Sequence, residues 1–245
     1  MRLLVDLGNS RLKWVLNAPA RWELGMALHQ GEDMTRLLDD AWGALEAPQR
    51  IVMTSVAAKE LRQALEQWAT RRWSLVPYVV QAQRAQLGVT NSYREPASLG
   101  ADRWAALIGA RALAQAPACI VDCGTAVTVD ALSADGVFLG GAIFPGLRLL
   151  RQSLAQGAAA LPLAFGDDTS CLARATADGI AAGTMLGLLG AIERMLVEQQ
   201  KVIGPGMQVF LTGGDAPLLA ARLTQPAIAI PDLVLKGLAR IADTL

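Results

Sequence analysis

Short apolar runs that break on an acid and a glycine, then alternating stretches, then helical periodicity: the chain shows this order twice. Leu3–Asp6 is an apolar strand, Leu7–Ser10 a turn marked by Gly8-Asn9, and Arg11–Leu16 the returning strand of a hairpin. Arg21–Leu28 adds a third strand. Asp33–Leu45 carries Met34, Leu37, Leu38, Ala41, Trp42 and Leu45 at the spacing of an amphipathic helix. Arg50–Val56 predicts a strand, Lys59–Trp73 a helix, Val76–Val80 a strand and Gly100–Leu113 a helix. The second half repeats the order. Ala118–Asp122 is a strand, Cys123–Thr125 a turn, Ala126–Leu132 the returning strand and Val137–Ile143 a third. Helices follow at Gly146–Ala155 and Ala173–Gln199, then a strand at Met207–Thr212, a Gly213-Gly214 turn and a last helix, Leu233–Asp243. Each half is thus a three-stranded meander followed by alternating helices and strands, an α/β plan used twice. The boundary is expected near Gln115–Ala118. No Gly/Ser linker stands there, so the halves are expected to pack closely, with a cleft between them.

Composition narrows the function classes. The 245 residues are 53% apolar, enough to bury a sizeable core. Formal net charge is zero, which argues against a nucleic-acid surface, since such surfaces need excess Lys and Arg. Arg71-Arg72 ends a helical segment, where cations complement the helix dipole. Cys119, Cys123 and Cys171 form no Cys-x-x-Cys pair and no disulfide framework, which fits a reducing, cytoplasmic setting. His29 is the single histidine. It excludes His-rich metal sites and any histidine triad built elsewhere, and its polar neighbours place it on the surface. The N-terminal apolar run breaks at once on Asp6, unlike a signal peptide. Gly179–Ile192 is the longest uncharged apolar stretch and falls short of a membrane span, so it reads as an interior helix. Trp14, Trp22, Trp42, Trp68, Trp73 and Trp104 lie mostly at core-facing spacing.

The candidate chemistry lies in the duplicated turn. Val5-Asp6-Leu7-Gly8-Asn9-Ser10 and Val121-Asp122-Cys123-Gly124-Thr125 each end an apolar strand on Asp-x-Gly with a hydroxyl nearby. A glycine turn lets backbone N–H groups approach a phosphate, the hydroxyl adds a donor, and the Asp can hold a metal directly or through water. Lys13 follows as a point positive charge. Taken singly, either motif reads as an ordinary hairpin turn, for which Gly, Asn and Asp are favoured conformationally. Their repetition at matching positions favours a nucleotide grip. No Walker A loop is present.

Two such hairpins in duplicated α/β halves resemble the superfamily of acetate and sugar kinases, heat-shock ATPases and actin. Within it the chain closely resembles the type III pantothenate kinase family, over nearly its whole length. The motifs are Asp6-Leu7-Gly8-Asn9-Ser10 with Lys13, Tyr93–Arg103, Asp122-Cys123-Gly124-Thr125-Ala126, Gly140-Gly141 with Pro145-Gly146, Thr176 with Ile180 and Gly183, and Leu211-Thr212-Gly213-Gly214-Asp215. The resemblance implies two ribonuclease H-like domains, 1–116 and 117–245, with the cleft between them. It implies transfer of the ATP γ-phosphoryl group to the terminal hydroxyl of pantothenate. Asp102 is then the base, against an alternative in which it only stabilises a helix start. Asp6, Leu7, Gly8, Asn9, Ser10, Arg11, Leu12, Lys13 and Thr125 hold the phosphates. Tyr93, Gly100, Ala101, Asp102, Arg103 and Thr176 bind pantothenate. Asp6 holds Mg²⁺ through water, and Asp122 a monovalent cation, potassium or ammonium. Asp130 is left structural. The family is dimeric, which implies a homodimer with no nucleic-acid or membrane partner. Two other readings stand beside this one: a different kinase or ATPase of the superfamily, and an accessory regulatory protein acting through a binding partner.

Overall fold

The computed structural model describes residues 1–166 and 169–245. Two compact units emerge: Met1–Ala114 together with Leu233–Leu245, and Gln115–Asp232. The first unit is built on β1 (Arg2–Leu7), β2 (Arg11–Ala18), β3 (Arg21–Leu28), α1 (Met34–Trp42), β4 (Arg50–Ser55), α2 (Lys59–Trp73) and β5 (Tyr78–Val79). Its sheet runs β3-β2-β1-β4-β5. The central β1 pairs antiparallel with β2 and parallel with β4. Leu3, Leu4, Val5 and Leu7 are all fully buried, as a strand covered on both faces requires. Leu37, Leu38 and Trp42 of α1 and Leu65 and Trp68 of α2 close the core over Leu3, Val5 and Leu7. Trp42 sits at the middle of a ring cluster, 5.6 Å from Trp14 and 5.9 Å from Trp68 between centroids. Trp14, Trp42, Trp68, Trp73 and the buried Trp104 thus pack as core, as their spacing indicated. Asp33 caps α1 by accepting from the Arg36 amide at 2.9 Å, and Arg71 and Arg72 occupy the last turn of α2.

The unit continues through a small hairpin, β6 (Ala85–Gln86) and β7 (Val89–Asn91), a single 3-10 turn at Pro96–Ser98, and α3 (Ala101–Leu113). The hairpin escapes a sequence reading because its strands are too short to show alternation. Its turn, Leu87-Gly88, has both φ angles positive at 51° and 79°, and a leucine does not advertise that conformation.

The second unit uses the same plan. It comprises β8 (Ala118–Cys123), β9 (Ala126–Leu132), β10 (Val137–Pro145), α4 (Leu147–Gly157), α5 (Thr176–Ile203), β11 (Gln208–Thr212), α6 (Ala216–Ala220) and β12 (Ile228–Ala229). Within this unit the strands run β12-β11-β8-β9-β10, the mirror-listed equivalent of the first order. β8 pairs antiparallel with β9 and parallel with β11, as β1 does with β2 and β4. One face of α5, through Met185, Leu188, Leu189, Ile192 and Leu196, packs on Val121, Val127 and Val129. The run Gly179–Ile192 was expected to fall short of a membrane span. The helix that contains it is longer, and is long and apolar enough by length and composition to cross one, with half of its most apolar window buried within the structure.

The last helix, α7 (Leu233–Ala242), departs from the expected division at 116/117. It groups with the first unit, where it packs on α3 and meets β1. The reason is backbone complementarity. A Cβ at Gly109 of α3 would lie 2.6 Å from the Leu233 carbonyl oxygen, and one at Gly237 would overlap the Ala105 carbonyl. Two glycines therefore let the helices touch backbone to backbone. Gly237→Ala is expected to cost about 1–3 kcal/mol or more, because a backbone oxygen cannot swing away. Gly190→Ala in α5, with nothing within 4 Å of its Cβ, should be neutral or slightly stabilising. Thermal denaturation of the two variants side by side checks the contrast.

Candidate active site

The first unit places an acid, a hydroxyl and an amine at the end of one buried strand. Asp6 on β1 lies in register with Lys13 on β2 and with Thr54 on β4. Thr54, fully buried, donates its hydroxyl to Asp6 Oδ1 at 3.1 Å. Asp6 itself is 9% exposed, and its pKa is pushed up to about 6. Burial is the main cause and the charge of Asp102 adds to it; Lys13 and the Thr54 hydrogen bond act the other way. A carboxylate held short of full ionisation by burial is one that an approaching cation completes. Among the described residues no three His, Cys, Asp or Glu side chains cluster as metal ligands. A magnesium ion here would draw most of its ligands from phosphate and water, its usual coordination.

The turn after Asp6 is the Gly8–Arg11 hairpin end. The Gly8 N–H donates to the Arg11 carbonyl at 3.0 Å. A Cβ at Gly8 would lie 3.4 Å from that oxygen, and the φ of Gly8 is not positive. What glycine supplies here is therefore open space for a ligand rather than unusual backbone. His29, expected on the surface, is 4% exposed, with Nε2 2.9 Å from the Gly8 carbonyl oxygen. Polar neighbours in sequence misled the reading because the chain turns inward after β3, where the imidazole finds a backbone partner.

Asp102 and its neighbours form the second part of this constellation. Gly100 is the N-cap of α3, and Ala101 and Asp102 begin the helix. Asp102 Oδ1 accepts the Arg103 amide at 2.7 Å. A Cβ on Gly100 would stand 2.6 Å from that same oxygen, so glycine is what lets the carboxylate fold back over the helix start. Burial raises the Asp102 pKa against the lowering effects of this amide and of the Arg103 charge. Arg103 is buried and donates to the Tyr93 hydroxyl at 3.0 Å, with its guanidinium carbon 5.8 Å from the Tyr93 ring centre. Asn91, buried, holds Tyr93 in place: its Oδ1 accepts the Tyr93 amide at 3.0 Å and its Nδ2 donates to the Pro96 carbonyl at 3.1 Å. Within this unit Asp6 interacts electrostatically with Lys13 and Asp102, and Asp102 with Arg103, which also contacts Tyr93.

The second unit gathers glycine turns around Asp122. Asp122 lies in register with Thr128 on β9 and Thr212 on β11. The Gly124 N–H donates to the Ala126 carbonyl at 3.1 Å, and the Gly146 N–H to the Thr125 carbonyl at 3.0 Å. A Cβ at Gly146 would overlap the Gly124 carbonyl, and one at Gly213 would come 2.5 Å from Asp122 Oδ1. The Asp215 amide donates to the Cys123 carbonyl at 3.0 Å. Asp130 is 1% exposed within β9, in keeping with a structural place. Thr176 is the first residue of α5 and is exposed. It lines a groove of about 600 Å³ with Phe144, Pro145, Leu150, Ile180 and Gly183.

The reading from sequence missed Thr54, His29 and Asn91. Thr54 was within reach, since laying Arg50–Val56 parallel to Leu3–Asp6 puts a hydroxyl beside the acid. The other two act through tertiary hydrogen bonds that leave no local pattern.

Comparison with known proteins decides the family. The model of the type III pantothenate kinase family matches residues 2–198. The chain belongs to the type III pantothenate kinase family. A curated type III pantothenate kinase of Halorhodospira halophila is 45% identical over 244 residues, spanning 97% of this chain and 96% of that protein. Among solved structures, a Campylobacter jejuni protein placed in the Baf family of transcriptional activators superposes with a TM-score of 0.66 at 21% identity, covering 99% of this chain and 98% of that one. A Sinorhizobium meliloti protein assigned as a 2-dehydro-3-deoxygalactonokinase superposes at 0.59 and 16% identity, covering 100% and 99%. These structures share the fold of sugar kinases and actin-like ATPases, as the duplicated sheets indicated.

The raised pKa of Asp6 has a sign that can be checked in this type III pantothenate kinase family member. The folded chain holds the Asp6 proton from the ordinary 3.8 up to about 6, so stability falls as pH rises through that window and the cost is complete above it. Asp6→Asn keeps the oxygen that accepts from Thr54 and removes the charge. Without nucleotide it should be more stable than wild type at pH 7.5, by on the order of 2 kcal/mol, and equal to it near pH 4. Denaturant titrations at the two pH values measure the difference.

Proposed function

We propose that the chain transfers the γ-phosphoryl group of ATP to the terminal hydroxyl of pantothenate, giving 4′-phosphopantothenate, the first step of coenzyme A biosynthesis. The observation that carries this reading is the Asp6–Lys13–Thr54 constellation with Asp102 nearby, in a chain 45% identical along its length to a type III pantothenate kinase. The transition state of phosphoryl transfer is loose, so positioning and charge neutralisation do most of the work. In this reading Gly8 to Lys13 cradle the phosphates, with Lys13 as the point charge, and Thr125 is a further phosphate ligand. Asp6 holds Mg²⁺ through water, and the ion supplies charge neutralisation when bound. Asp122, at the end of β8, holds potassium or ammonium. Asp102 accepts the hydroxyl proton; burial raises its proton affinity, and the Arg103 amide fixes the oxygen that receives it. Tyr93, Gly100, Ala101 and Arg103 hold pantothenate, and the Tyr93–Arg103 contact pre-sets the guanidinium for a carboxylate.

Thr176 lies on the exposed α4/α5 groove, and that apolar surface suits a second copy of the chain. A homodimer would cover it and bring Thr176 to the substrate side. The free cysteines fit a cytoplasmic enzyme. The accessory-regulator reading is not favoured: the likeness to the Baf family protein extends to the fold alone, while the curated relatives are type III pantothenate kinases.

The test is ADP release with ATP, Mg²⁺ and pantothenate, in potassium and then in sodium, with light scattering on the same sample. Pantothenate-dependent turnover that needs potassium or ammonium, from a dimer, is expected. Asp102→Asn, which retains a capping oxygen for α3, should fold normally and lose on the order of a hundredfold or more in kcat. Full activity in that variant would move the base elsewhere, and no pantothenate dependence in the wild type would sink the kinase reading.

A further inference from the structure

The phosphate loop is held from behind by residue 29. The Nε2 of His29 lies 2.9 Å from the Gly8 carbonyl oxygen, and the His29 amide donates to the Ser10 carbonyl at 3.3 Å. A carbonyl only accepts, so Nε2 carries the proton in this contact. The next residue completes the grip: Gln30 Nε2 donates to the Ser10 hydroxyl oxygen at 3.1 Å. Three bonds from two consecutive residues thus converge on a two-residue turn whose own closing bond is Gly8 N–H to the Arg11 carbonyl.

The consequence for an anion follows from peptide geometry. A trans peptide unit is planar, and its C=O and N–H point in opposite directions. Among the described residues no peptide bond is cis. With the Gly8 carbonyl turned toward His29, the Asn9 N–H points away from it. With the Ser10 carbonyl turned toward the His29 amide, the Arg11 N–H likewise points away. An anion-binding turn needs its N–H groups outward and its carbonyls withdrawn, because a carbonyl dipole facing a phosphate repels it. An isolated Asn-Ser turn would sample both orientations of these peptide planes. His29 is buried and donates a fixed N–H, so it selects one orientation before the ligand arrives.

We propose that His29 is a positioning residue for nucleotide phosphate: its imidazole locks the Gly8–Asn9 peptide so that the loop presents N–H groups to ATP. Gln30 reinforces this by fixing the Ser10 hydroxyl. The inference rests on the reading of Gly8 to Lys13 as the phosphate loop. It concerns ATP alone and leaves pantothenate binding to other residues. The alternative role for a buried histidine is simple packing, which would affect stability and nothing else.

The experiment uses the full chain and its single histidine. His29→Phe keeps volume and removes the donor; His29→Gln keeps an N–H at a similar reach. Exposed Gln30→Ala leaves the core untouched. KM for ATP should rise about tenfold in His29→Phe, the effect of one lost hydrogen bond. KM for pantothenate should hold, and His29→Gln should recover most of the loss. Gln30→Ala should raise KM for ATP by a smaller factor in the same direction. In wild type, nitrogen-15 spectra of the single imidazole should show the proton on Nε2 and a shift of that signal on adding Mg²⁺ with a non-hydrolysable ATP analogue. A folded His29→Phe with unchanged KM for ATP overturns the proposal, as does an imidazole signal indifferent to the analogue. If His29→Phe fails to fold, Gln30→Ala and the imidazole spectrum decide. Absence of any ATP binding by the wild type would instead count against the phosphate-loop reading itself.

Discussion

A carboxylate at the buried end of a central strand is the constraint on which the first unit turns. Asp6 sits where Leu3, Leu4, Val5 and Leu7 have excluded water, so burial pushes its pKa up to about 6. Every neighbour can be understood from that position. Thr54 supplies the hydrogen bond that a buried oxygen requires. Lys13 supplies partial compensation across the β1–β2 ladder. Asp102 adds repulsion that raises the Asp6 pKa further. The arrangement stabilises the fold less than an apolar residue would.

The second unit repeats the geometry with different emphasis. Asp122 occupies the same place on β8, with Thr212 beside it on the parallel strand where Asp6 has Thr54. Here close backbone approach dominates. Gly146 and Gly213 stand where a side chain would strike the Gly124 carbonyl or the Asp122 carboxylate. The Gly-Gly and Pro-Gly turns that look like generic punctuation are therefore packing requirements of the turn that carries Asp122 and Thr125. The α3–α7 contact uses glycine in the same way, and it draws the C-terminal helix onto the first unit.

Much of this was legible in the sequence because the physics is local. The limits of α2 and β9 coincide with those expected, and Asp33 caps α1 as a helix-start signal should. The repeated Asp-x-Gly at strand ends located both acids without any structural information. What stayed hidden is non-local. The place of α7 depends on Gly109 meeting Gly237, more than 100 positions apart. The burial of His29 depends on a carbonyl 21 residues earlier. Asn91 looks like a loop residue until its two hydrogen bonds hold Tyr93 against Arg103. The short β6–β7 hairpin lacks the length over which a period can be read.

If Asp6 is the carboxylate that magnesium and nucleotide engage, their binding must drive off its proton. Calorimetric titration of a non-hydrolysable ATP analogue with Mg²⁺, near pH 6 and near pH 8, in buffers of different ionisation enthalpy, measures the protons released. Proton release near pH 6 that vanishes at pH 8, and is absent in Asp6→Asn, is the expected result. Binding of equal strength at both pH values with no proton released, or binding unaffected by Asp6→Asn, would contradict it.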